Sequence, residues 1–374
     1  MAGNRAGATV HIRAAIAIER SVFGDEHDRV LANFPMLPDL LEVQEQFEEA
    51  NAAHTEIIAA FSKRYGPDHW QTVDQRIATE DCVRRGQLSS EDRARLREAT
   101  TASGKVNALC DAGQFSEALK RATFVVERRR ELIGEKNSTY ALSLAKLAIV
   151  HTMLGNFATA DSLYEQSLVI EKETLGERHP EYAQTLSNLA VQCDELGQYL
   201  RAESLYEKAV GINLKAFGSK SAAYGASLNN LAVHSDRLGD FEKAETLYLE
   251  AIETYRQTLG DASPETLTAT SNFCRHLLAR GELTCAEPLI LNLIDQRRTV
   301  LGDNHPQYAE SLNLLGLLFE AKHEFARAAE QFQKALAFLK QVYGEQNPGW
   351  RSACKSDPLR EIDRRVNRTH RIGP

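Results

Sequence analysis

The chain has 374 residues, 43% hydrophobic and 26% charged, with only 10 Pro and 22 Gly, which excludes collagen-like and disordered classes. A net charge of −8 speaks against nucleic acid as a partner; no run of 18 apolar residues suits a membrane span, and the opening MAGNRAGATVHIR lacks the apolar core of a secretory leader. A cytoplasmic location is therefore expected, and Cys82, Cys110, Cys193, Cys274, Cys285 and Cys354, scattered without a CxxC pair, are expected to be reduced thiols rather than a disulfide framework or zinc ribbon.

An internal period organises the chain. An apolar residue followed by Gly recurs at Gly24, Gly66, Gly134, Gly176, Gly218, Gly260, Gly302 and Gly344, in steps of 42 residues except for one of 68. A second series, Gly113, Gly155, Gly197, Gly239 and Gly281, has the same period and from Gly155 on falls 21 residues after members of the first, and His323 takes the sixth place. Gly ends helices on a left-handed residue, so two such positions per 42 residues predict two helices per unit. His179-Pro180, Ser263-Pro264, His305-Pro306 and Asn347-Pro348 read as helix starts, because Pro fits the first helical position.

In chain order, residues 8–23 match a second helix with no partner before it, either the remnant of a longer array or an exposed cap. Pro35 and Pro38 fall inside the next first helix and predict that it is shortened or kinked. Residues 1–66 thus form degenerate N-terminal units. The 68-residue step exceeds the period by 26: residues 67–88 read as a first helix alone, and Ser89 with Asp92 resembles a capping pair opening the next helix. Segment 67–92 is then a half-repeat, or one atypical repeat with a distorted second helix. Residues 93–344 hold six regular units. Each second helix carries a small residue (Ala50, Ala118, Ala160, Ala202, Ala244, Ala286, Ala328), and first helices carry Ala148, Ala190, Ala232, Cys274 or Gly316, so helix backbones can approach closely. Residues 345–374 form a tail whose last 24 residues carry +4, leaving −12 for the body; a short helix at best, then a frayed end, is expected.

The stretch TLSNLAVQCDELGQYLRAESLYEKAVGINLKAFG resembles a tetratricopeptide repeat (TPR) of the 42-residue, kinesin light chain-like type, also common in bacterial repeat proteins. The resemblance implies an all-α solenoid of antiparallel helix hairpins stacked into a right-handed superhelix, whose first helices line a concave groove. It implies groove positions by register: Lys146, Asn188, Asn230 and Asn272; beside them Asn229 and Asn313; and one turn later Asp194, Asp236 and Arg237, with Arg275 adding a cation. In related proteins an asparagine ladder pairs with the backbone of an extended peptide, and an amide that both donates and accepts suits that task. The competing reading is that these asparagines bridge adjacent repeats.

No phosphate loop, HExxH, GxSxG or dinucleotide-binding glycine run occurs, so a non-enzymatic protein without cofactor or metal is expected. His179 and His305 read as helix caps, His234 and His276 as helix-surface or interface residues, and Cys193 and Cys274 as buried structural thiols. The expected function is an interaction scaffold for an extended peptide of mixed or basic charge. Its alternative is a regulatory sensor module controlling a separate peptidase-like or signalling effector, with segment 67–92 as a hinge. Self-association through open solenoid ends is possible, and the basic tail could fold back on the acidic groove or touch nucleic acid or an anionic surface.

Overall fold

A computed structural model describes residues 2–303 and 305–343. Among them lie seventeen helices and no strand. They are α1 (Ala2–Phe23), α2 (Asp28–Asn33), α3 (Met36–Val43), α4 (Phe47–Tyr65), α5 (Trp70–Gln87), α6 (Ser90–Asp111), α7 (Phe115–Ile133), α8 (Ser138–Met153) and α9 (Phe157–Thr174). There follow α10 (Pro180–Glu195), α11 (Tyr199–Phe217), α12 (Ala222–Leu238), α13 (Phe241–Leu259), α14 (Pro264–Ala279), α15 (Leu283–Leu301), α16 (Pro306–Ala321) and α17 (Phe325–Tyr343). The proposed tail, Gly344 and Cys354 lie outside the described residues.

The boundaries follow the local chemistry. Prolines 180, 264 and 306 each open a helix. Asn137, Ser221 and Ser263 cap theirs with a side-chain oxygen, and His179 and His305 do so with Nδ1, accepting from the backbone N–H two residues on at 3.2 and 3.3 Å. The described glycines of both series adopt positive φ. His323, standing where the second series has Gly, adopts φ 62° as well, so the turn geometry persists without the residue that favours it.

The irregular stretches are visible too. Pro35 interrupts what would be one helix, giving the short pair α2 and α3. After α5 the chain passes through Leu88 and Ser89 directly into α6; Ser89 Oγ accepts from Asp92 N at 3.0 Å, the expected cap.

Contacts gather the chain into two compact units. Among the described residues, one comprises 2–104, 121–148 and 162–182; the other comprises 105–120, 149–161, 183–303 and 305–343. In the first, Ile16, Leu31, Phe34, Ile57 and Phe61 form one apolar cluster, and Leu41, Ala50, Ala53 and Cys82 another. In the second, a continuous core runs from Ala232 to Ala335 and includes Tyr248, Phe273, Ile290, Leu314 and Phe332. All seven second-helix alanines are fully buried, as close backbone approach requires.

Candidate functional site

The second unit carries most of the expected groove residues on its first helices, α10, α12, α14 and α16. Residues three, four and seven apart share a helix face, so Asn188, Val191 and Glu195 make one stripe, Asn230, Val233 and Arg237 the next, and Asn272 and Arg275 the third. Asn272 Nδ2 donates to Asn229 Oδ1 at 3.1 Å, joining adjacent repeats, and Gln184 Nε2 donates to Asn188 Oδ1 at 3.1 Å. Asn230, half-buried, and Asn313, buried, make no side-chain hydrogen bond with the described residues. The asparagine series therefore divides: one pair bridges repeats, and two amides keep their hydrogen-bonding capacity.

Charges on this face are arranged between repeats. Arg237 pairs with Glu195 at 2.9 Å and Arg275 with Glu310 at 3.0 Å, both solvent-accessible pairs of modest strength that a ligand's charges can replace. Lys146 lies in the first unit, where its ammonium donates to Ser103 Oγ at 3.2 Å; burial, with Arg129 nearby, lowers its pKa.

Asp194 and Asp236 differ from their expected role. Asp194 is only 6% exposed, and its carboxylate is consumed inside: Oδ1 meets His234 Nδ1 at 2.6 Å and Oδ2 accepts from Tyr206 Oη at 3.3 Å. Asp236 repeats the arrangement with His276 at 2.5 Å and Tyr248 at 3.0 Å, and keeps some exposure at its rim. Both imidazoles are fully buried, so His234 and His276 are inter-repeat residues rather than surface ones. Burial first, then the adjacent carboxylate, pushes the Tyr206 and Tyr248 phenols well above their ordinary pKa, so each remains a proton donor.

These clusters occupy three fixed repeat positions: a residue on a first helix, one 12 residues later on the second helix, and one 40 residues later on the next first helix. In the second unit the same register also gives the apolar set Leu278, Ile290 and Leu318. In the first unit it gives Glu42 on α3, His54 on α4 and Cys82 on α5. Here Glu42 is forked by Arg85, whose Nε and Nη2 donate to its two carboxylate oxygens at 2.7 and 2.9 Å. His54 Nε2 approaches Glu42 Oε1 only to 3.5 Å, while Cys82 Sγ lies 3.8 Å from the Phe47 carbonyl oxygen. Burial would raise the Glu42 pKa, but hydrogen bonds from His54 and Arg85 outweigh it and hold the carboxyl at about 2. Burial, with the Glu42 charge adding to it, pushes the Cys82 thiol up to about 12. Glu42 also lines a cavity of about 550 Å³ with Phe47, Arg85, Arg93, Leu96 and Thr139. Sequence reading missed these junctions, although the constant 12 and 40 spacing was present in the sequence.

The profile of the tetratricopeptide repeat matches residues 97–170, 140–215, 195–257 and 265–341. No curated protein matches by sequence. Among solved structures, BtubC (BKLC) from P. vanneervenii is 21% identical, covering 69% of this chain and 94% of its own, with a TM-score of 0.49. Kinesin-light-chain-like TPR repeats of Podosopora anserina are 24% identical over 54% of this chain and 96% of theirs, with a TM-score of 0.45. A Rap protein complexed with competence and sporulation factor is 14% identical, covering 91% of this chain and 99% of its own, with a TM-score of 0.50. No helix among the described residues is long and apolar enough to cross a membrane.

Proposed function

Because the chain belongs to the tetratricopeptide-repeat family, we propose that it is a non-enzymatic interaction scaffold whose second unit binds an extended segment of a partner protein. The repeats themselves support a protein-interaction role; the binding face is our own reading. It is the face bearing Asn188, Asn230, Asn272, Asn229, Asn313, Arg237 and Arg275 on successive first helices. The observation that carries it is that Asn230 and Asn313 stand in this register with no side-chain partner among the described residues. Each amide offers one acceptor and two donor hydrogens, enough to pair with the N–H and C=O of a passing strand, and helix propensity gives no reason to place Asn there. The neighbouring Arg237–Glu195 and Arg275–Glu310 pairs supply both signs of charge, which suits a segment of mixed or basic character.

Affinity capture from the source lysate with identification by mass spectrometry tests the reading. We expect the wild type to retain a partner that an Asn188→Ala/Asn230→Ala/Asn313→Ala variant loses while its helical circular dichroism is unchanged. Capture of the same set by both proteins would reject this face.

A further inference from the structure

We propose that Glu42, His54 and Cys82 form a binding site for a borderline divalent cation, zinc foremost, through one carboxylate oxygen, one imidazole nitrogen and one thiolate. Their ligand atoms all lie within 4.8 Å of one another. Tetrahedral zinc with bonds of about 2.0–2.3 Å sets its ligands roughly 3.3–3.8 Å apart. The His54–Glu42 separation of 3.5 Å already has that value, though it makes a poor hydrogen bond. Cys82 Sγ lies within 4.8 Å of both ligand atoms.

The same three repeat positions in the second unit provide the internal control. There the second position is a tyrosine whose hydroxyl donates to the carboxylate at 3.3 and 3.0 Å, and the third is a histidine at 2.6 and 2.5 Å, so the three side chains close on one another. In the first unit histidine holds the second position, 3.5 Å from Glu42, and Cys82 holds the third, so all three side chains are metal-ligand types, and Arg85 rather than either of them closes on the Glu42 oxygens. One buried ring nitrogen lacks a partner in His54, His234 and His276 alike, but the other nitrogen of His54, which is 2% exposed, has only the 3.5 Å contact where the other two have a short one, so its ring is the least satisfied of the three.

The surroundings suit the ion. A thiolate and a carboxylate neutralise the charge of a divalent cation, and the Cys82 proton leaves to solvent as the sulfur coordinates. The Arg85 fork fixes the orientation of the Glu42 carboxylate, the role outer-shell partners play at metal sites. Sulfur and nitrogen donors favour zinc or cobalt over magnesium or calcium. Glu42 also lines the 550 Å³ cavity.

The experiment titrates the reduced full-length chain with Co²⁺ and then displaces it with Zn²⁺. We expect one equivalent bound, a sulfur-to-cobalt charge-transfer band in the near ultraviolet, and loss of the band in Cys82→Ser but not in Cys274→Ser, which removes another buried thiol. His54→Gln should weaken zinc binding, measured against a chromophoric chelator, by more than the roughly 10–100-fold that loss of an outer-shell partner costs. Absence of the band in the wild type overturns the site whatever the variants do, as does a band that survives Cys82→Ser. If Cys82→Ser fails to fold, Glu42→Gln and His54→Gln decide: unchanged zinc affinity in both overturns the assignment.

Discussion

The junction at Asp236, Tyr248 and His276 and the junction at Glu42, His54 and Cys82 occupy the same three repeat positions, yet they solve the burial of a carboxylate differently. In the second unit a short contact to a buried imidazole and a tyrosine hydroxyl satisfy both oxygens. In the first, an arginine that is about one-third exposed takes both oxygens and the histidine stands off. One register can thus hold a closed network, an open one, or, at Leu278, Ile290 and Leu318, no polar group at all. The repeat dictates where three side chains meet, and their identities dictate how strongly the meeting depends on each.

The largest effect should come from breaking the closed network. Asp236→Ala leaves a fully buried imidazole and a phenol without their acceptor, which should cost about 3–5 kcal/mol in urea unfolding. Converting all three positions to the apolar set, Asp236→Leu/Tyr248→Ile/His276→Leu, should recover most of that loss, since well-packed apolar replacements of buried polar groups are often neutral. A triple variant no more stable than the single one would mean that the network fixes the packing of these helices.

The small-residue seam between helices is sensitive to size instead. A Cβ added at Gly316 would lie 2.4 Å from Phe332 Cε1, so Gly316→Ala should destabilise by about 1–3 kcal/mol, and Phe332→Leu in the same chain should relieve part of it. Thermal melts of the two variants read this directly; an unaltered single variant would show that the Phe332 ring turns aside freely.

The open network should give a smaller effect with a pH signature. Because the folded Glu42 carboxyl is held at about 2 against its usual 4.5, its stabilisation is complete above pH 4.5 and is lost as the pH falls toward 2. Glu42→Gln should therefore lower stability at neutral pH and flatten the acid limb of the unfolding profile, with the difference from wild type vanishing near pH 2. A parallel offset at all pH values would contradict the ionised state of Glu42. Smallest of all, Asn230→Ala should change stability by less than about 0.5 kcal/mol, because its amide has no protein partner among the described residues, whereas Asn272→Ala, which breaks the bond to Asn229, should cost about 0.5–1.5 kcal/mol.

Much of the architecture was legible before any coordinates. The alanines at 50, 118, 160, 202, 244, 286 and 328 were recognisable as close-packing positions because they recur in one register, and all are fully buried. Pro35 and the Ser89–Asp92 cap likewise announced the break between α2 and α3 and the direct passage from α5 to α6. The groove residues were less legible. Nothing in their repeat position distinguishes Asn272, tied to Asn229, from Asn230, which is untied, and only the 12- and 40-residue spacing, shared with the apolar set Leu278, Ile290 and Leu318, marks Asp194 as sealed by His234.

The helix hairpins, their 42-residue period, their caps and the small-residue seam are written in the amino-acid order, because each depends on local chemistry: the φ of Pro, the left-handed turn at Gly, and the 3.6-residue helical period. Which polar atoms meet between helices is settled by the packing of those helices in three dimensions. That choice depends on about half an ångström between side chains 12 residues apart, the margin separating the 3.0 Å Asp236–Tyr248 hydrogen bond from the 3.5 Å Glu42–His54 contact in the same register. A hydrogen bond is made or lost over that distance, whereas a helix is not.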